Sequence, residues 1–444
     1  MATQFSETDV VLRCGIVTDT HLGRGRARFE ESIRQFYQMT EGEKLDVIFA
    51  AGDLTDNGLP YEIESVKEAL DALQIEKKGT EFVFALGNHD LEFDRKPYNG
   101  EVFKEILGDY AYRGASPEEI RNGNHHIVVG GFHFIALNCK VYNGGCHHAL
   151  EDLEWLRGKL EDAVKDAPNQ PIFLATHPLI EGTVYGSNEG RYWSSNNLDG
   201  VLKDYPQVVV FGGHLHFPLH DRRNLIQKDY TAAAAGCTLY CSLESQLEGV
   251  QPLETAGGME TADCQDFSQG LYLEVDRANN VRITRVDFLN QALIGQPWII
   301  GAPQADKSHL KKYTYEKLVS QNQAPYFEPN AQSRIIRLTP EILEIEFDAA
   351  LDDDYVYYYE IHLLEAHSGR AVGDTHVVSY SDFYRYPSPD MMSRTCKRSI
   401  NLEAFGIPEG SIPAHKQYVV EVIAVDSFGA KSGSLTSSAV DVGQ

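Results

Sequence analysis

Short apolar runs, each ending at a polar residue, mark the first 290 residues of the chain. The clearest of them cover residues 14–18, 47–51, 82–86, 172–175 and 208–211. Nearly continuous apolar runs of this length are typical of strands buried on both faces. Between the runs, apolar positions recur at helical spacing, for example over residues 28–39, 61–73 and 150–164. This alternation of strands and helices predicts an α/β domain.

The pattern changes after residue 216. Residues 230–240, 270–276 and 281–288 predict further strands, and Asn279-Asn280 predicts a turn between the last two. We therefore expect a domain over residues 1–290 made of two packed sheets flanked by helices. Residues 291–330 contain four prolines and few long apolar runs, which indicates a linker that lies against this domain.

Residues 331–444 predict a second domain of a different kind. Apolar and polar residues alternate with a period of two over residues 342–347, 355–363 and 418–426. Short aromatic and β-branched strands of this kind predict an all-β sandwich. The last strand, followed by Ser427-Phe428-Gly429, resembles the penultimate strand of fibronectin type III modules. We therefore expect an immunoglobulin-like or fibronectin III-like sandwich.

Charge and composition exclude several classes of partner. The 444 residues carry a formal net charge of −26, which repels phosphate backbones and anionic lipid. We therefore expect neither a nucleic acid strand nor a membrane as a partner. The chain has no apolar run near the ~18 residues that span a bilayer, and its acidic start lacks a signal-peptide pattern. With seven cysteines and no zinc-type spacing, we expect a cytoplasmic protein with reduced thiols.

Residue types that bind metals follow the predicted strands. The five segments are Asp19-Thr20-His21, Gly52-Asp53, Gly87-Asn88-His89-Asp90, His177 and Gly213-His214-Leu215-His216. Ligands of open α/β sheets gather outside the carboxyl ends of the strands. The five segments together, in this order, indicate one functional site.

The chemistry of these side chains points to metal ions. Carboxylate, imidazole and amide groups without a thiolate favour manganese, iron or zinc. Seven candidates are too many for one tetrahedral ion and suit two ions ~3.5–4 Å apart; they are Asp19, His21, Asp53, Asn88, His177, His214 and His216. The pairs His125-His126 and His147-His148 lack the strand-end context, and we expect them on the surface.

The set resembles the calcineurin-like metallophosphoesterase superfamily, whose pattern is D-x-H, G-D, G-N-H-D/E, a lone H and G-H-x-H. The resemblance covers roughly residues 10 to 290. It implies two mixed β-sheets flanked by helices, with two metal ions at the sheet edges. It also implies how the ligands divide. Asp19, His21, Asp53 and His216 would bind one ion, and Asp53, Asn88, His177 and His214 the other.

The resemblance further implies catalytic roles. His89 would not bind metal but would donate a proton or a hydrogen bond to the leaving group, and Asp90 would orient His89 or else cap the next helix. Purple acid phosphatases have a tyrosine where this chain has Asp56, so that class is disfavoured. The motifs look most like those of the bacterial cyclic-nucleotide phosphodiesterase-like branch.

Substrate contacts are predicted near these motifs. Arg24 follows His21 and could reach a phosphate. Between His177 and the last motif, Tyr185, Arg191, Tyr192 and Trp193 could contact a base or a sugar, or could pack on the protein. We expect a dimetal phosphoesterase for small phosphodiesters or phosphomonoesters, possibly nucleotides. The alternatives are a nucleotide pyrophosphatase, a phosphoprotein phosphatase, or a metal-containing binding protein without catalysis.

Overall fold

The computed structural model divides the chain into two compact units. The first contains Met1–Leu243 and Cys264–Leu318, and the second contains Glu244–Asp263 and Val319–Gln444. The predicted linker, residues 291–330, is thus shared between the two units. The structure describes residues 5–92, 99–142, 145–188, 194–243, 251–252, 265–373, 376–408 and 410–442.

The α-helices lie mainly in the first unit. They are α1 (Leu22–Met39), α2 (Pro60–Ala72), α3 (Ile75–Lys78), α4 (Gly100–Leu107), α5 (Pro117–Asn122), α6 (Leu150–Asp166), α7 (Asp199–Leu202) and α8 (Tyr315–Gln321). The predicted helices over residues 28–39, 61–73 and 150–164 correspond to α1, α2 and α6. Among the described helices, none is both long enough and apolar enough to cross a membrane.

The strands up to residue 300 are β1 (Val10–Val17), β2 (Val47–Ala51), β3 (Glu81–Ala85), β4 (His125–Val129), β5 (Phe132–Ala136), β6 (Ile172–Ala175), β7 (Leu179–Ile180), β8 (Ser194–Ser195), β9 (Val208–Gly212), β10 (Leu225–Gln227), β11 (Thr231–Ala234), β12 (Gln251–Pro252), β13 (Gln269–Asp276), β14 (Val281–Asp287), β15 (Ala292–Leu293) and β16 (Trp298–Ile300). The later strands are β17 (Ser333–Leu338), β18 (Ile342–Asp348), β19 (Val356–Glu365), β20 (Val377–Tyr380), β21 (Thr395–Asn401), β22 (Gln417–Asp426), β23 (Leu435–Thr436) and β24 (Val440–Asp441).

Two mixed sheets form the framework of the first unit. One has the order β15-β14-β13-β1-β2-β3, with β16 beside β14, and the other has the order β10-β11-β9-β6-β5-β4. Strands β1, β2 and β3 are parallel, as are β5, β6, β9 and β11. The predicted two-sheet α/β domain is confirmed, and β15 and β16 extend it into the segment expected to be a linker.

Aromatic side chains fill the space between the two sheets. Phe49 of the first sheet meets Phe134 and Phe211 of the second edge to face, with ring centroids 5.4 and 6.4 Å apart. The opposite face of the first sheet packs against helices, as where Phe84 contacts Phe103 of α4. Burial on both faces explains why the strands are continuously apolar.

One predicted strand is shorter than its pattern suggested. The apolar run over residues 230–240 stays in the sheet only to Ala234. Gly236 then turns the chain with a φ of +78°, a conformation that glycine adopts without steric cost. The following residues run beside the end of β1, where the Thr238 amide donates to the Thr18 carbonyl.

The second unit is built of two further sheets. One has the order β12-β20-β19-β22-β23, with β24 beside β22, and the other has the order β17-β18-β21. Every second residue of β18 is buried, and Phe347 of this strand meets Tyr359 of β19 with 4.9 Å between ring centroids. The period-two pattern therefore predicted this β-rich unit correctly.

Candidate metal centre and active site

The predicted ligands lie where parallel strands of both sheets end. Asp19 and Asp53 follow β1 and β2 by two residues, and His177 and His214 follow β6 and β9 by two residues. All four side chains are buried. Because these strands belong to two sheets that pack together, their carboxyl ends bring residues from distant parts of the chain to one place.

The side chains form two groups that share one carboxylate. Ligand atoms of Asp19, His21, Asp53 and His216 all lie within 4.8 Å of one another, and those of Asp53, His177 and His214 do the same. Asn88, the remaining candidate, follows β3, and the amide of the next residue, His89, donates to Oδ1 of Asp53 at 3.0 Å. The structure thus brings together the residues that the motifs singled out.

Several buried polar atoms of these groups have no hydrogen-bond partner among the described residues. They are both ring nitrogens of His21, Oδ2 of Asp53 and Nε2 of His177. Nε2 of His177 lies 3.1 Å from Oδ2 of Asp53, without the geometry of a hydrogen bond. Buried polar atoms are rarely left unsatisfied. The donor set therefore fits metal ions, which would bind these atoms.

The backbone of the centre is held in an unfavourable conformation. Five of the seven predicted ligands have a left-handed φ between +43° and +74°: Asp19, His21, Asp53, His214 and His216. Residues other than glycine seldom adopt this conformation, and it costs of order 1–3 kcal/mol each. Such strain persists where the surrounding structure imposes it, and it clusters at functional sites.

Glycines allow the strands to approach the ligands closely. A Cβ atom on Gly87 would collide with Oδ1 of Asp53, and one on Gly213 would collide with the side chains of Thr18 and Asp19. Glycine is therefore required before the predicted ligands at these two positions, because a larger residue would collide with another ligand.

The electrostatics of the centre favour cations. Burial alone would raise the pKa of Asp19, but His216 and His177 lower it to about 2. The pKa of Asp53 is also held below its ordinary value, mainly by His177 against the effect of burial. Burial would lower the pKa of His177, yet Asp53 and Asp19 raise it to about 10. Two ionised carboxylates thus stabilise positive charge within the centre.

His89 lies beside the first ligand group and is partly exposed. Its ring centroid is 5.0 Å from that of His21, and its Nδ1 is 2.7 Å from the main-chain carbonyl of Asp56. A carbonyl only accepts, so Nδ1 carries a proton and Nε2 is the nitrogen that can face a substrate. Burial would lower the pKa of His89, but Asp53, the Asp56 carbonyl and Glu92 raise it above its ordinary value.

Asp90 binds backbone groups of two loops rather than His89. Its fully buried carboxylate accepts hydrogen bonds from the amides of Leu54, Thr55 and Gly87 and from the Thr55 hydroxyl. The expectation that Asp90 orients His89 is therefore wrong, because the Asp56 carbonyl does so. Asp90 instead fixes the loop after Asp53 against the loop after β3.

The predicted substrate contacts fall into three cases. Arg24 is exposed and donates from Nε to Oδ1 of Asp56 at 2.8 Å. Tyr185 is buried against Phe217 and under the guanidinium of Arg223, which favours packing over contact with a base. The other three predicted contacts, Arg191, Tyr192 and Trp193, lie outside the described residues.

Two tyrosines beside the ligands were missed by the sequence analysis. The ring of Tyr142 lies 5.5 Å from that of His214, and the ring of Tyr240 lies 4.3 Å from that of His216. Both stand in loops without a motif, so no local signal identified them.

The histidine pairs expected on the surface are partly inside. His125 and His148 are buried, and Nδ1 of His148 is bonded to the Asn138 carbonyl at 3.2 Å. Tertiary packing buries these two side chains, and the local pattern did not predict it.

Comparison with known proteins agrees with this geometry. Residues 12–218 match the model of the calcineurin-like phosphoesterase family. This stretch contains all seven candidate ligands and both sheet ends that carry them. The first unit contains a calcineurin-like metallophosphoesterase domain. Domains of this family use binuclear metal centres, which the two ligand groups of the metallophosphoesterase domain fit.

Relatives of the metallophosphoesterase domain include two curated enzymes. A 3′,5′-cyclic-nucleotide phosphodiesterase of Nostoc sp. is 27% identical over 202 residues, which are 44% of this chain and 64% of that protein. The serine/threonine-protein phosphatase CPPED1 of Danio rerio is 26% identical over 204 residues, 43% of this chain and 60% of that protein. The chain spans less than two thirds of the length of these relatives.

Among solved structures, the GAP50 anchor in the inner membrane complex of Plasmodium is 15% identical. It aligns over 67% of this chain and 90% of its own, with a TM-score of 0.40. A likeness at this level adds nothing to the assignment of function.

Proposed function

We propose that the chain is a two-metal phosphoesterase that hydrolyses small phosphodiesters or phosphomonoesters. The observation that carries the proposal is the pair of buried ligand groups that share Asp53. His89 lies next to the first group but belongs to neither. When bound, two divalent or trivalent ions of manganese, iron or zinc would activate a water molecule and neutralise phosphoryl oxygens. The proposed ligands are Asp19, His21, Asp53 and His216 for one ion and Asp53, Asn88, His177 and His214 for the other.

The chain's own residues would do the remaining work. Asp53, which belongs to both ligand groups, would bind both ions, and the His89 amide on its Oδ1 would hold the carboxylate in place. His89, with Nδ1 fixed by the Asp56 carbonyl, would present Nε2 to the leaving-group oxygen and donate a proton to it. Arg24 would contact a phosphoryl oxygen that the ions leave free.

Small substrates suit the charge of the chain. A net charge of −26 opposes the approach of long polyanions, whereas one or two phosphates can be held by the ions. A nucleotide is a reasonable substrate because one relative is named a cyclic-nucleotide phosphodiesterase. The relative named a serine/threonine-protein phosphatase makes a phosphoprotein the second candidate.

A parallel assay tests the proposal. The manganese-loaded protein would be given bis-p-nitrophenyl phosphate, p-nitrophenyl phosphate, cyclic and linear nucleotides, a phosphoserine peptide, and single-stranded and duplex DNA. We expect turnover of a small ester and none of DNA. Nuclease activity without turnover of small molecules contradicts the proposal, and metal binding without any turnover favours a binding protein.

We also propose that the second unit is an immunoglobulin-like or fibronectin III-like sandwich without a catalytic role. The proposal is supported by its two sheets, one of three strands in the order β17-β18-β21 and a larger one around β19 and β22. The hydroxyl of Tyr418, at the start of β22, donates to the Pro413 carbonyl at 2.9 Å. This contact resembles the tyrosine corner of immunoglobulin-like sandwiches.

A further inference from the structure

Asp56 makes three contacts around the edge of the first ligand group. Its main-chain carbonyl accepts from His89. Its Oδ1 accepts from Nε of Arg24 at 2.8 Å and lies 3.5 Å from Nδ1 of His21. In the sequence analysis, Asp56 served only to disfavour the purple acid phosphatases. In the structure it touches a predicted ligand, the predicted proton donor and the predicted phosphate contact.

The shared oxygen also fixes where Arg24 can be. Oδ1 of Asp56 lies 2.8 Å from Nε of Arg24 and 3.5 Å from Nδ1 of His21. The distance between the two nitrogens therefore cannot exceed the sum of these two distances. The head of this exposed arginine is therefore at the rim of the metal centre. Without its partner, the flexible side chain would sample many rotamers there.

The loop that carries Asp56 is itself well held. Its neighbour Thr55 donates from its amide and its hydroxyl to the buried carboxylate of Asp90. The amide of Asn57, on the other side, donates to Glu62 of α2. The Asp56 side chain is only 14% exposed. It is thus a well-held point of attachment for the exposed side chain of Arg24.

We propose that Asp56 is a positioning residue for substrate binding: its carboxylate holds the Arg24 guanidinium at the rim of the metal centre, so that the outer N–H groups receive a phosphoryl oxygen. This inference rests on the proposed function. Among the described residues, the hydrogen bond found for the Arg24 guanidinium is from Nε to Asp56, and the terminal N–H groups of the planar guanidinium can donate to an anion. Because the Arg24 guanidinium is already held in this direction, it loses less side-chain entropy when it binds a phosphoryl oxygen.

The test compares Asp56→Ala, Arg24→Ala and the double variant at saturating manganese, with bound metal measured in each. We expect each single change to raise KM roughly tenfold with little change in kcat, because Arg24 would bind the ground state and the transition state alike. The double variant should be no worse than Arg24→Ala, since Asp56 acts through Arg24. Asp56→Asn keeps the shape of the loop and should have an intermediate KM.

The controls are Arg26, on the same helix as Arg24, and its partner Glu68 on α2. Arg26 of α1 pairs with Glu30 and Glu68 on the surface, so Arg26→Ala and Glu68→Gln remove an equivalent ion pair away from the centre. Neither change should alter KM. Additive effects of Asp56→Ala and Arg24→Ala, or an unchanged KM in metal-loaded Asp56→Ala and Asp56→Asn, contradict the inference.

A binding measurement separates this inference from the proposed function. Inorganic phosphate would be titrated calorimetrically into the manganese-loaded protein and its variants. The positioning role is supported if Asp56→Ala and Arg24→Ala both bind phosphate more weakly than the unchanged protein, and if the double variant binds it no more weakly than the single variants. This holds even if no ester is hydrolysed. The positioning role of Asp56 is rejected if all variants bind phosphate with equal affinity, or if the unchanged protein binds no phosphate. In either case, turnover of an ester by the unchanged protein would still support the proposed function.

Discussion

The imidazole of His89 is held by the main-chain carbonyl of Asp56, 2.7 Å from Nδ1. A backbone group gives the ring its orientation, so no substitution of a neighbouring side chain removes the acceptor. The same contact assigns the proton to Nδ1 and leaves Nε2 facing away from the loop. Nε2 is therefore the nitrogen that would exchange a proton with a substrate.

Replacing His89 should separate chemistry from metal binding. We expect His89→Ala to keep both metal ions and to lose roughly 10²–10⁴-fold in kcat, the usual contribution of a general acid. The loss should be smaller for p-nitrophenolate, which leaves without help, than for an alkoxide. Metal content by elemental analysis and kcat for the two kinds of ester check this. A fall in metal content together with activity would show that His89 is a ligand.

The shared carboxylate should matter more than a ligand of one ion. Asp53→Asn removes negative charge from both ligand groups and should lower the content of both metals and the turnover. His21→Ala should reduce one metal and leave more residual activity. Metal stoichiometry and turnover, measured on both variants, decide the matter. Equal losses in the two would argue against a bridging role.

A single methyl group at Gly87 should damage the centre. Gly87→Ala places a Cβ against Oδ1 of Asp53, so the loop or the ligand must move and metal affinity should fall at least tenfold. Gly158→Ala is the matched control, because a Cβ at this position of α6 meets no atom within 4 Å.

The control should keep its metals and gain about 0.5–1 kcal/mol of stability, as expected when alanine replaces glycine inside a helix. Metal titration and thermal unfolding of the two variants measure the contrast. Retention of full metal affinity in Gly87→Ala would mean that the loop after β3 yields more easily than the close contact implies.

Tyr418 of the second unit should contribute to stability and not to catalysis. Tyr418→Phe removes the hydroxyl that donates to Pro413 and should cost about 1 kcal/mol. Tyr326→Phe, at an exposed position of the same unit, should change nothing. Denaturant unfolding gives the stability, and turnover of bis-p-nitrophenyl phosphate should match the unchanged protein in both. A loss of turnover in folded Tyr418→Phe would connect this unit to catalysis.

The sequence carried the information that is local. Strand ends, motif order and the glycines next to the ligands are each written within a few residues, and the two-sheet framework with its ligand positions followed from them. The contacts of Asp90 and Tyr185 depend on partners from other segments. Asp90 binds backbone groups of two loops rather than His89, and Tyr185 packs on the protein, which was one of its two predicted alternatives. Tyr142, Tyr240 and Asp56 gave no signal of their roles because their significance comes from the rings and carboxylates around them. The left-handed backbone at five ligands is likewise a tertiary property.

The bond between Asp19 and His216, 2.8 Å from Oδ1 to Nε2, joins residues that are 197 positions apart. A centre closed by such a contact cannot assemble until the last strand end has been synthesised and placed. Contacts this distant in sequence slow folding, because the intervening chain must be ordered first. Metal retention would therefore report the completed fold, and a chain that ends before β9 should be unable to hold the proposed ions.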